Sequence, residues 1–138
     1  MSSLAGLKTA EAARLVEWVL DLLWDGPLAA YPCHLAKDPD CPATSGVALV
    51  ELMIRHSAAL ARRGIHWELR QVPGWTPGNQ LSYVNLVVWH ESQEPPRVGW
   101  PLAPGKWVRD YRLWLARSRG WSRQYAEWRR RVAARRCG

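Results

Sequence analysis

Phenylalanine is missing from this chain of 138 residues, and ten tryptophans and four tyrosines stand in its place. Each of these rings carries a polar handle on a large apolar body, so the pattern suits interfaces as well as cores. Cysteine is scarce and odd in number, at Cys33, Cys41 and Cys137. With no signal-peptide pattern ahead of them, the three speak against a disulfide scaffold and predict reduced thiols in a cytoplasmic protein. Long apolar runs are lacking too. The longest, residues 15–24, is interrupted by Glu17 and Asp21, so no membrane span is expected.

Catalytic signatures are missing as well. There is no G-x-S-x-G, no P-loop, no dinucleotide-binding glycine pattern and no EF-hand loop, which favours a protein that is not an enzyme and needs no cofactor. His66-x-Glu68 matches the first half of a zinc-deaminase signature, but the P-C-x-x-C half is absent downstream. His90-Glu91 ends an apolar stretch and reads as structural. Cys33, His34 and Cys41 would give three zinc ligands, with His56, His66 or His90 as a fourth. Their C-x7-C spacing departs from the paired cysteines of structural zinc sites, so they are expected to be ordinary loop residues and no metal site is predicted.

What is present is 48% apolar residues and a net charge of +7. That apolar share predicts one folded domain over residues 1–138 rather than a disordered chain. The charge is unevenly placed. From Trp100 onward eleven basic residues face two acidic ones, a net of +9, whereas the first 99 residues hold eight basic and ten acidic, a net of −2. Sixteen of the nineteen cations are arginine, so lysine is scarce as well.

Read in order, residues 9–25 predict a helix, with Thr9 as its cap and Leu15, Val16, Val19, Leu20, Leu22 and Leu23 as its apolar face. Asp25-Gly26-Pro27 ends it. Residues 26–44 carry four prolines and read as a loop. A second helix is expected over 45–63, capped by Thr44 or Ser45 and closed by Gly64, with Val47, Val50, Ile54, Ala58 and Ala61 at helical spacing. The period then falls to two. Ile65, Trp67 and Leu69 alternate with His66, Glu68 and Arg70, as in a strand with one wet face. Residues 73–80 read as a turn-rich loop. Residues 81–90 read as a central strand apolar on both faces, and a short edge strand is expected around 97–100, confined by prolines. The expected fold class is α+β: two N-terminal helices, a small antiparallel sheet of two or three strands within 65–100, and a basic helical segment over 106–136.

That last segment organises the chain. Trp107, Trp114, Trp121 and Trp128 fall seven residues apart, with Tyr111 and Tyr125 four residues into alternate intervals, so all six project to one side of a helix. The pattern W-x-R-x-Y-x-x-W-x-x-R occurs twice, before and after Gly120. A break at Gly120 is expected, giving a helical hairpin or a kinked helix. In the first half Trp107, Val108, Tyr111, Trp114 and Leu115 make a broad apolar face and are expected in the core. In the second, Trp121, Tyr125, Trp128 and Val132 make a narrow stripe amid Arg123, Arg129, Arg130, Arg131, Arg135 and Arg136. Packing and ligand contact both remain open for that stripe.

Arginine forks match phosphate oxygens, and tryptophan and tyrosine faces stack on unpaired bases. The sequence therefore predicts a nucleic-acid-binding accessory protein or ribonucleoprotein-complex subunit, with RNA or single-stranded DNA favoured over a plain duplex. Those six arginines would contact phosphate, while Trp121, Tyr125 and Trp128 pack or stack. The alternative is a small phage or mobile-element protein acting by protein–protein interaction, such as an inhibitor of a nucleic-acid-binding defence complex. Tryptophan and arginine are equally favoured as interface anchors.

Overall fold

The computed structural model describes residues 4–74 and 80–137, with side chains at 8–74, 81–119 and 123–135. Most of the turn-rich loop expected over 73–80 lies outside them.

The fold is α+β with an antiparallel sheet, and it is richer than two helices and three strands. Helix α1 spans Leu4–Leu22 and starts five residues before the Thr9 predicted to cap it, so Thr9 lies inside the helix. A short 3-10 turn, Leu23–Asp25, follows, and Gly26 ends it by donating its N–H to the Leu23 carbonyl at 3.1 Å. The segment read as a loop holds strand β1 (Leu28–Ala30) and a one-turn helix α2 (Pro32–Leu35).

The second expected helix is two. Helix α3 (Gly46–Arg55) is capped by Ser45, whose Oγ accepts from the Ala48 N–H at 3.2 Å. Helix α4 (Ser57–Arg62) follows after a bend at His56. The Ser57 hydroxyl bonds the carbonyl oxygens of Met53 and Ile54, each at 2.9 Å, and such back-bonding bends helices. Gly64 closes α4 at φ +73°, where a side chain would be strained. At Gly46 the need is closeness, since a Cβ there would stand 2.6 Å from the Cys33 nitrogen of α2.

Strands β2 (Ile65–Gln71), β3 (Val84–His90) and β4 (Trp100–Leu102) complete a four-stranded sheet in the order β1-β3-β2-β4, antiparallel throughout. β3 is central, as its apolar run predicts. Leu86 lies opposite Ala30 on one side and Leu69 on the other. One face of the sheet, carrying Ile65, Leu69, Val84, Leu86 and Val88, joins Leu15, Val19, Leu49, Val50, Met53 and Leu60 of the helices in a single core. Val87, on the opposite face by strand alternation, is buried too. β4 starts three residues later than expected and ends two later, with Pro101 tolerated because the strand is at an edge.

The chain then enters α5 (Pro104–Cys137), 34 residues of unbroken helix. The expected break at Gly120 is corrected: neither a hairpin nor a 3-10 interruption occurs there. A glycine costs a helix interior about 1 kcal/mol, which its flanking alanine, leucine and arginine residues offset.

Candidate nucleic-acid interface

The first turns of α5 anchor it to the body. Trp107 is 6% exposed and donates its indole N–H to the Leu81 carbonyl at 3.0 Å. Tyr111 leans on it at a ring separation of 5.1 Å, and Trp114 on Tyr111 at 5.6 Å. Val108 and Leu115 are half-buried. The proximal half is therefore core only in part: Trp107 is buried and Val108 and Tyr111 pack against the core, but the expectation fails for Trp114, which keeps 41% of its surface in water, and neighbouring Leu113 keeps 51%.

Beyond this anchor most of the described side chains of the helix are exposed. Every residue from Arg123 to Arg131 is exposed, whichever way it points around the helix axis. At 1.5 Å per residue, the arm from residue 117 to residue 137 extends about 30 Å. Tyr125 and Trp128 stack on each other at 5.9 Å with planes 27° apart, and both are more than half exposed. Tyr125, five full turns on, lies in line with Trp107, and Trp128, three heptads on, is displaced by the drift of about 20° per heptad of a straight α-helix. The face that packs near residue 107 thus continues past the body with nothing over it among the described residues.

The charge follows the same division. Residues 1–116 contain eleven basic and eleven acidic residues, while residues 117–138 contain eight arginines and one glutamate. The whole net charge of +7 belongs to the arm. Near the body, cations of α5 are paired: Lys106 with Asp110 at 3.2 Å, Arg109 with Asp110 at 3.7 Å, and Arg112 with Glu51 of α3. Among the described residues, Arg117, Arg119, Arg123, Arg129, Arg130, Arg131 and Arg135 have no carboxylate partner, and Glu127 pairs with none of them. Arg130 reaches only the Ala126 carbonyl, at 3.4 Å.

Of the residues expected at the interface, Arg123, Arg129, Arg130, Arg131, Arg135, Tyr125 and Trp128 are all on this exposed arm. Trp121 and Arg136 lie on the same helix, with side chains outside the described residues. Sequence reasoning passed over Arg117 and Arg119, which stand exposed in the same arm. The repeat pattern already marked Arg117, and only the assumed break at Gly120 separated both from the basic cluster.

The other polar candidates are dispersed. His56 Nε2 lies 2.6 Å from a Glu11 oxygen, and Arg55 donates to that same oxygen at 2.9 Å. These two bonds hold the Glu11 carboxyl below its ordinary pKa. His66 stacks on Trp89 at 5.6 Å, His90 bonds the Ser92 hydroxyl at 2.7 Å, and His34 meets Tyr31 edge-on. Cys33 is exposed, and Cys41 is buried, which raises its thiol pKa. Among the described residues no three His, Cys, Asp or Glu side chains gather where a metal ion would be held. Nor is any helix among them long and apolar enough to cross a membrane.

No protein-family model, curated protein or solved structure matches the chain.

Proposed function

We propose that this protein is a nucleic-acid-binding accessory protein or a subunit of a ribonucleoprotein complex, with the free half of α5 as its binding element. The observation that carries the reading is a set of arginines without carboxylate partners among the described residues, around an exposed Tyr125–Trp128 stack. Cations this close repel one another and are relieved by a polyanion. Guanidinium forks bind phosphate oxygens in pairs, and an aromatic face open to solvent accepts an unpaired base. RNA and single-stranded DNA are favoured because a fully paired duplex hides its base faces.

The test is a fluorescently labelled single-stranded RNA or DNA oligonucleotide titrated with the full chain at low ionic strength. Binding is expected, and replacing both Tyr125 and Trp128 by alanine should weaken it by about 1–3 kcal/mol per stacked base. No affinity at low salt ends the proposal.

The bare aromatic stripe also favours a second reading, in which the arm docks in a groove of another protein, as an inhibitor from a phage or mobile element would. A protein partner that co-purifies through nuclease treatment and high salt would favour it.

A further inference from the structure

The arginines of the arm are arranged around the helix in a way that narrows the kind of nucleic acid. At about 100° per residue, Arg119, Arg123 and Arg130 fall in one sector, and Arg117, Arg131 and Arg135 in another roughly 120° away. Tyr125, Trp128 and Val132 occupy a third sector, beside the second row and opposite the first. All six of these arginines and both rings are exposed. A single strand laid along the aromatic stripe would meet the second row and Arg129. It would leave Arg119, Arg123 and Arg130 pointing into water on the far side.

Resting on the nucleic-acid reading above, we infer that the arm enters a groove and meets two phosphate backbones at once, in an RNA stem opened by a bulge or internal loop. Two arginine rows on separate sides of one helix match two phosphate walls. A helix with its side chains is about 10–12 Å wide, whereas the major groove of a regular RNA helix is deep and too narrow for side chains to read. The groove must therefore be opened, and a bulge or loop opens it. The same defect supplies an unstacked base for the Tyr125–Trp128 pair, which a perfect duplex, RNA or DNA, does not.

The experiment compares the full chain on four labelled probes of equal charge: an unstructured RNA strand, a perfect RNA hairpin, a hairpin with a central bulge, and a duplex DNA. Two variants accompany it, the far-row triple R119Q/R123Q/R130Q and the near-row triple R117Q/R131Q/R135Q. Glutamine keeps helix propensity, and the positions are solvent-exposed, so the fold should be retained, as circular dichroism would check.

The bulged hairpin should bind at least tenfold tighter than the other three. Both triple variants should lose at least tenfold on it, each lowering the salt slope by about two to three. On the unstructured strand only the near-row variant should lose affinity. If the far-row variant binds the bulged hairpin as the parent does, or the unstructured strand or duplex DNA is preferred, the two-walled groove is wrong while nucleic-acid binding stands. If no probe binds, the underlying reading fails instead.

Discussion

Arg112 reaches Glu51 across the gap between α5 and α3, and it is the last arginine of the helix with a carboxylate partner among the described residues. C-terminal to that pair the helix carries seven described arginines that no acidic group of the body meets. The pair marks where α5 stops belonging to the fold and starts to face something else.

Two tryptophans on one helix should therefore behave oppositely. Trp107→Ala removes a buried ring and its bond to the Leu81 carbonyl, and should cost about 3–5 kcal/mol in urea unfolding. Trp128→Ala removes a ring that is 55% exposed and should shift stability by no more than about 0.5 kcal/mol. Comparable losses at both positions would mean that the arm is packed.

Continuity of α5 through position 120 is tested by substitution there. Gly120→Ala should raise helicity in far-UV circular dichroism and leave oligonucleotide affinity intact, since alanine is favoured by about 1 kcal/mol in a helix interior. Gly120→Pro should lower helicity and weaken binding, because the ring clashes with the preceding turn. A helix broken at this glycine would give no gain with alanine.

The Glu11 carboxylate ties α1 to the bend between α3 and α4 through His56 and Arg55. Those bonds hold its pKa down, so its contribution is fully present above the unfolded-state value and is lost as the pH falls through the lowered folded-state value. Glu11→Gln should destabilise the protein at neutral pH, with the difference from the parent shrinking in the acid range. Glu11 is 41% exposed, so solvent screening keeps the effect modest. Denaturant titrations at neutral and acid pH check this, and parallel stability curves for the two proteins would contradict it.

Much of this fold could be read from periodicity. The spacing of Val47, Val50 and Ile54 predicted a helix, and Ile65, Trp67 and Leu69 predicted a strand. The run from Val84 to Val88 predicted the centre of the sheet. β1 could not be read, because Leu28–Ala30 is three residues long, lies between prolines, and forms only by pairing with β3 some sixty residues away. The bend at His56 depends on the Ser57 hydroxyl, which leaves no mark in the hydrophobic pattern. Gly120 misled because propensity alone marks a break, whereas helix cooperativity carries the chain through. At the candidate site, residue identities were legible but exposure was not. Ten acidic residues in the first 99 were available to neutralise the arm, and only the fold shows that Glu51 takes Arg112 while the more distal described arginines stay without a carboxylate.

The most direct measurement is the affinity of the full chain for a labelled single-stranded oligonucleotide across a range of salt concentrations. Binding through the four arginines that flank the aromatic stripe releases a counterion for each neutralised phosphate, so log K should fall linearly with log salt at a slope of about −3. A slope near zero, or no binding even at low ionic strength, would contradict the assignment of the arm as a polyanion-binding element.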